Sequence, residues 1–510
     1  MNRMTRRRIG SLAMVVAVAS GGSHLAAQNG SQFRAWKASA LADAVQVKPR
    51  AACPTLVSLT GYEFSVITAT TVAASADAPE HCRVIGQIQP EIRFEASLPA
   101  VWNGRLYVFG NGGYAGESLD APARAANVRR GLAHGFAVVQ MNTGHDAATE
   151  PLGSFAVNSQ KFLDYAYRGL HVSVLTAKRI LQTYYDGELR RSYFDGIVNG
   201  APVLNFSGTM IDYVENQRAL NASPIPADKL KVLADTVVAK CDAVDGLKDG
   251  LIDDPRACAF KPSADLPRCA GDGDGPTCFT AAQIAALETV YGGVKRGGAE
   301  FFPGWAAGGE GGWTPWFVRG AQGPIQVAFG ETFFKYMAFG RPNPSYDWLT
   351  FNVETDLEKI QWARSVLDAT DPDLSRFKAR GGKIVSYFGW ADPALNPMMG
   401  IRYYESVMQK MGPSTTDFYR LFMVPGMYHC GGGTGVSAFD ALTPLVEWVE
   451  KGVVPQSIIG SRLVEGKVVR TRPLCPYPQV ARYQGTGSVD EAASFRCAPP
   501  GDRASTPSRR

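Results

Sequence analysis

The sequence predicts an α/β fold, a core of mainly parallel strands with a large segment inserted between two of them. Two observations carry this. Short apolar runs recur with turn residues directly behind them, as strands buried on both faces do. From residue 207 to residue 363 that pattern gives way to helical pieces alternating with loops rich in Gly, Asp and Trp, and it resumes near Lys383.

The strand candidates, in order, are Arg105 to Phe109 before Gly110-Asn111-Gly112-Gly113, Phe136 to Gln140 before Asn142-Thr143-Gly144, Ile384 to Tyr387 before Gly389, and Tyr419 to Val424 before Pro425-Gly426. Between the second and third, Ala166, Leu170, Val174, Ala177 and Leu181 recur at helical spacing and mark one apolar helix face. Within the inserted segment, Pro226 to Lys240 and Ala281 to Val290 read as helices. An insertion of this kind is placed to cover the carboxyl ends of the strands, where α/β folds bind ligands. A plain surface excursion is the alternative. The expected organisation is 1–27 as a leader, 28–206 as the first part of the core, 207–363 as a lid, 364–500 as the second part of the core, and 501–510 as a disordered tail.

The leader is read from Arg3, Arg6, Arg7 and Arg8, an apolar run from Ile9 to Ala19 too short to span a bilayer, and small residues behind it. Cleavage after Ala19 or after Ala27 fits equally, and an uncleaved anchor is the alternative. Of the formal charge of +5, those four arginines account for most, which leaves the remainder near +1 and gives no sign of a nucleic-acid partner. No later apolar run is long enough for a membrane helix, so a secreted or periplasmic protein is expected. Nine cysteines in such an oxidising compartment should mostly be paired, with one left over.

Two strand ends carry polar residues suited to acid–base chemistry. Gly389-Trp390-Ala391-Asp392-Pro393 follows one strand and Pro425-Gly426-Met427-Tyr428-His429-Cys430 the next, so Asp392 and His429 have the order and context of a base and the acid that orients it. A turn-capping Asp and a solvated loop His remain the alternative. Residues Cys241 to Asp254 place Asp242, Asp245 and Asp249 at short spacing with glycines between them. That suits a hard cation such as Ca²⁺, although a set of Asp-Gly turns reads the same way.

The Gly-Trp-Ala-Asp-Pro and Pro-Gly-Met-Tyr-His-Cys-Gly-Gly-Gly segments, Gly110-Asn111-Gly112-Gly113-Tyr114-Ala115-Gly116, and Phe194-Asp195-Gly196-Ile197-Val198-Asn199-Gly200-Ala201-Pro202 resemble signatures of the tannase and feruloyl esterase family, in its order and over nearly the whole chain after the leader. The resemblance implies an α/β-hydrolase core with a lid domain, and hydrolysis of small aromatic-acid esters such as gallates, ferulates or terephthalate-type esters. It implies Asp392 and His429 as catalytic residues, and Gly112 or Gly113 as one oxyanion-hole donor. It implies a structural Ca²⁺ held by the Asp242, Asp245 and Asp249 side chains with the Leu247 and Leu251 carbonyls, and no organic cofactor. It also implies the pairs Cys53–Cys82, Cys241–Cys258, Cys269–Cys278 and Cys475–Cys497, leaving Cys430 unpaired.

The chain departs from the family where the nucleophile should be. No Gly-x-Ser-x-Gly occurs; Ser207 and Ser437 each lack part of the pattern. Members continue from a segment like Arg191-Ser192-Tyr193-Phe194 into a Gly-Cys-Ser-x-Gly-Gly elbow and its helix, whereas here Phe194 runs straight into Asp195. Parallel neighbours need a crossover of about a dozen residues or more, and the two residues between Phe194 and Ile197 do not supply one. One crossover is therefore expected to be missing near 194–195. In the family the cysteine before the serine pairs with the one after the histidine, so the same loss would orphan Cys430. Phe388, where many members have histidine, is a second departure and bears on substrate contacts. Three readings follow: an esterase scaffold inactive as written, an enzyme using a recruited serine or a His429-activated water, or a calcium-stabilised binder of aromatic esters.

Overall fold

The computed structural model describes residues 46–185, 194–271, 273–318 and 323–500. The expected leader, the tail 501–510 and Arg191, Ser192 and Tyr193 lie outside the described residues.

Strands β1 (Phe64–Val72), β2 (His81–Ile88) and β3 (Ile92–Pro99) form an antiparallel meander. The chain then gives β4 (Leu106–Val108), helix α1 (Pro122–Ala133), β5 (Ala137–Met141), helix α2 (Gly169–Tyr184) and β6 (Gly196–Gly200). The inserted segment contributes helices α3 (Phe206–Ala222), α4 (Ala227–Cys241) and α5 (Ala281–Gly292), the hairpin β7 (Val294–Arg296) and β8 (Ala299–Phe302), and helix α6 (Ile325–Tyr336). The core resumes with β9 (Lys383–Gly389), α7 (Pro397–Met411), β10 (Tyr419–Val424) and α8 (Leu442–Lys451). Two hairpins, β11 (Ile458–Val464) with β12 (Lys467–Leu474) and β13 (Val480–Tyr483) with β14 (Phe495–Ala498), close the described chain.

The four strands marked by the sequence fall where expected, within one or two residues at each end, and the pairs β4–β5 and β9–β10 are parallel. The antiparallel strands β1–β3 extend the sheet beyond them. Their apolar side chains pack against Ala177, Ile180, Leu181 and Tyr184 of α2, of which Ala177 and Leu181 belong to the helix face read from the sequence. Local chemistry fixes the crossover helix α7: Asn396 caps its first turn through Met398 N–H, Pro397 stands at the first position, and Gly412 ends it at φ 75°.

The described ladders divide into two sheets, one in the order β1-β2-β3-β5-β4 and one in the order β10-β9-β6. They share an apolar core in which Phe109, Phe136 and Val138 meet Val385, Tyr387 and Phe422. Among the described residues no strand bridges β4 to β6. Both of these outer strands are only half-buried along their whole length, while their inner neighbours β5 and β9 are buried almost throughout.

All four expected disulfides form: Cys53–Cys82, Cys241–Cys258, Cys269–Cys278 and Cys475–Cys497. Cys430 is unpaired and 5% exposed, and burial pushes its thiol well above the ordinary cysteine range. A thiol so held is protonated and unreactive at neutral pH. Titration with a thiol reagent should accordingly find no accessible thiol in the native protein and one per chain in denaturant. Rapid native labelling, or more than one thiol on unfolding, would contradict the pairing.

Candidate active site

Strand β9 delivers Asp392 and β10 delivers His429. Each strand is apolar because it is buried on both faces, and β9 ends at Gly389, a position where only a small residue fits. A Cβ on Gly389 would overlap the Met427 carbonyl oxygen, so glycine is what lets the two loops touch. Beyond β10, Gly426 turns at φ 66° and its carbonyl accepts from the N–H groups of Thr434 and Gly435, pinching residues 426–435 into a closed loop with His429 at its tip.

His429 Nδ1 lies 2.9 Å from Asp392 Oδ2, and the Asp392 side chain is 0% exposed. The other carboxylate oxygen, Oδ1, accepts from the N–H of Ala394 at 2.8 Å and of Leu395 at 2.9 Å. A carboxylate fixed at Nδ1 sets the tautomer that leaves Nε2 free to take a proton. Among the described residues the ring bonds to Asp392 and to no hydroxyl. Ser207 Oγ instead donates to Asp368 Oδ2 at 2.7 Å, and Ser437 is held through its backbone by Ser461.

The glycine turn behind β4 is built on left-handed backbone, with Gly113, Ala115 and Gly116 at φ 55°, 59° and 77°. Glycine is required at 116, where a Cβ would overlap the buried His145 ring. Asn111 Nδ2 ties the turn to Glu117 and to the Met141 carbonyl, both at 3.1 Å, and buried Arg124 donates to the same carbonyl at 2.8 Å. Tyr165 fixes the Gly113 carbonyl through a hydroxyl donated at 3.0 Å.

Aromatic side chains of the inserted segment reach from this turn to His429. Tyr114 stacks on Phe329 at 4.8 Å, Phe329 lies 6.5 Å from Trp316, and Trp316 meets the His429 ring edge-on at 5.9 Å. The sequence reading did not single out Trp316, Phe329, Asn111 or Arg124. The cluster Trp313-Thr314-Pro315-Trp316 beside glycines was the available signal for the first of them.

Phe388 is fully buried, and its ring is what a side chain at Gly400 of α7 would strike, so it faces the helix packed on the sheet. Cys430 adopts φ 54°, and its thiol donates to the Gly200 carbonyl at 3.6 Å, at the end of the half-buried strand β6.

In the acidic loop, Gly246 and Gly250 turn at φ 94° and 78°. Asp242 Oδ1 accepts from the N–H of Gly250 at 3.0 Å, and Asp245 Oδ1 from that of Leu247 at 2.9 Å. Asp249 Oδ1 accepts from the Leu251 N–H at 3.2 Å, while its Oδ2 lies 2.6 Å from Arg472 Nη2. Burial pushes Asp245 and Asp253 up; the neighbouring Asp245 raises Asp253 further, while the hydrogen bond with Asp253 draws Asp245 back down. The described residues contain no group of three or more acidic, His or Cys side chains gathered closely enough to hold a metal ion. The expected calcium ligands are thus neighbours in one loop, with Asp249 engaged by an arginine.

The model of the family described as tannase and feruloyl esterase matches residues 76–200 and 192–498. An uncharacterised esterase of Xanthomonas campestris is 31% identical over 532 aligned positions, which cover 88% of this chain and 91% of that protein. Mono(2-hydroxyethyl) terephthalate hydrolase of Piscinibacter sakaiensis is 31% identical over 85% of this chain and 87% of its own length. The crystal structure of feruloyl esterase B from Aspergillus oryzae superposes with a TM-score of 0.75 at 26% identity, covering 88% of this chain and 99% of that one.

Proposed function

Because the chain belongs to the tannase and feruloyl esterase family, we propose that it is a carboxylic ester hydrolase scaffold for aromatic-acid esters that keeps the acid and base of its triad and lacks the nucleophile. The buried Asp392 carboxylate 2.9 Å from His429 Nδ1 carries this reading, since it is the arrangement that makes an imidazole a general base. Trp316 and Phe329 supply flat apolar faces against which an aromatic acyl group stacks. Gly112 or Gly113 supplies one N–H for a developing oxyanion, and the second donor belongs to the absent elbow.

Several independent features support the missing elbow. The family match breaks into two pieces that meet at residues 192–200, and 532 aligned positions against a chain of 510 residues mean that the relative carries segments without a counterpart here. Strands β4 and β6 are the half-buried outer strands of two separate sheets, and the unpaired Cys430 faces the end of β6. Ser207 is committed to Asp368 through its hydroxyl. The purified chain should show only background hydrolysis of methyl gallate, methyl ferulate and an activated aryl ester. Turnover abolished by both a serine-directed inhibitor and His429→Ala would overturn that expectation.

Export to the periplasm or medium is supported by the disulfides and the Arg-rich, apolar start. The helices among the described residues include none long and apolar enough to cross a membrane. Calcium binding by Asp242, Asp245 and Asp249 with the Leu247 and Leu251 carbonyls is supported by the turned glycines and by three aspartates at short spacing in one loop. A ligand at a hundred times its Kd stabilises by about 2.7 kcal/mol. Melting in excess Ca²⁺ should therefore exceed melting in chelator by several degrees, and equal transitions would remove the site.

A further inference from the structure

The carboxylate of Asp392 is held by two N–H groups, and one of them belongs to a peptide unit that is itself held from the inserted segment. Tyr213, on α3 and 1% exposed, donates its hydroxyl to the Ala394 carbonyl at 2.6 Å. That carbonyl shares its planar peptide unit with the Leu395 N–H, which donates to Asp392 Oδ1 at 2.9 Å. We propose that Tyr213 is a positioning residue for the triad acid, acting through the Ala394–Leu395 peptide to fix Oδ1 and so aim Oδ2 at His429 Nδ1.

A peptide whose oxygen accepts a hydrogen bond is a stronger donor at its nitrogen, because both bonds polarise the same dipole. The chain of bonds therefore runs from the Tyr213 hydroxyl through the peptide and the carboxylate to the imidazole. Burial keeps the phenol protonated, and so a donor, at any working pH. Other contacts make the inserted segment a fixed wall for this loop. Asn396 Nδ2 donates to the carbonyls of Pro303 at 2.8 Å and Gly304 at 3.1 Å, and Gly309 packs on the Ala391 carbonyl. Loss of the Tyr213 hydroxyl leaves the buried Ala394 carbonyl short of a donor and gives the loop a reason to shift.

The inference rests on the Asp392–His429 reading, and the test separates the two. In the full chain with isotope-labelled histidine, the Nδ1–H of His429 should give a low-field proton resonance, assigned by its loss in Asp392→Asn. Tyr213→Phe should abolish or broaden that resonance while the thermal transition and the resonances of the other histidines persist. An unchanged resonance in Tyr213→Phe, with Asp392→Asn removing it, would overturn the positioning role alone. No effect of Asp392→Asn would overturn the dyad itself. Should Tyr213→Phe fail to fold, a tyrosine fluorinated beside its hydroxyl, placed at 213, keeps the shape and strengthens the donor. A shifted His429 resonance then supports the relay, and an unshifted one overturns it.

Discussion

Inserting a family elbow segment with its helix between Phe194 and Asp195 should convert a protein at background into an esterase, and His429→Ala in that longer chain should return it to background. The size of the effect follows from how triads behave: removing the serine or histidine of a well-studied serine hydrolase lowers kcat by about 10⁶-fold, with a residual roughly 10³–10⁴ over water from binding and the oxyanion hole. Here Asp392 and His429 are already joined at 2.9 Å, so on the proposed reading the insertion has to supply only the hydroxyl, the second oxyanion donor and a strand between β4 and β6. The same segment should bring a cysteine to Cys430, and the free thiol should disappear on unfolding. Assay on methyl gallate and methyl ferulate with parallel thiol titration reads both. A folded, thiol-free, inactive insertion would overturn the proposal that an absent elbow leaves the chain inactive, and would direct attention to the aromatic wall of Trp316 and Phe329.

What the sequence revealed of this molecule was governed by locality. Strand ends carrying Asp392 and His429 were legible because an apolar run followed by a Gly- or Pro-bearing turn is a local signal, and the structure joins the two side chains as their order implied. Tyr213 was not legible, since it reads as one of many apolar positions on a buried helix and its role depends on a carbonyl 181 residues away. Trp316 and Phe329 were hidden for the same reason: the inserted segment has no periodic pattern strong enough to say which of its many aromatics face the core strands. The antiparallel strands β1–β3 escaped notice because polar residues interrupt their apolar runs, Thr and Ser on the half-exposed Phe64–Val72 and Arg93, Glu95 and Ser97 in the mostly buried Ile92–Pro99. Phe388 shows the limit of reading by position: it departs from a family pattern at the end of a catalytic strand, yet it packs against α7.

Arg472→Ala should cost about 3–5 kcal/mol in calcium-free solution, the penalty for leaving one member of a buried ion pair without its partner. Arg472 and Asp249 are each 2% exposed by side chain and meet at 2.6 Å, and the guanidinium also lies 3.8 Å from the centre of the Phe495 ring. The substitution therefore removes a counter-charge and a stacked cation together, and the hairpins β11–β12 and β13–β14 should lose their hold on the acidic loop. Calcium changes the prediction in a direction that tests the ligand assignment. A cation held by Asp242, Asp245 and Asp249 gives the Asp249 carboxylate a second counter-charge, so the loss from Arg472→Ala should shrink when Ca²⁺ is in excess, and the stabilisation by Ca²⁺ should be larger in the variant than in the parent. Urea unfolding of both proteins, with calcium and with chelator, completes a thermodynamic square whose coupling reads the interaction directly. Equal losses with and without the ion would mean that Asp249 answers to Arg472 alone and that the loop is a set of Asp-Gly turns.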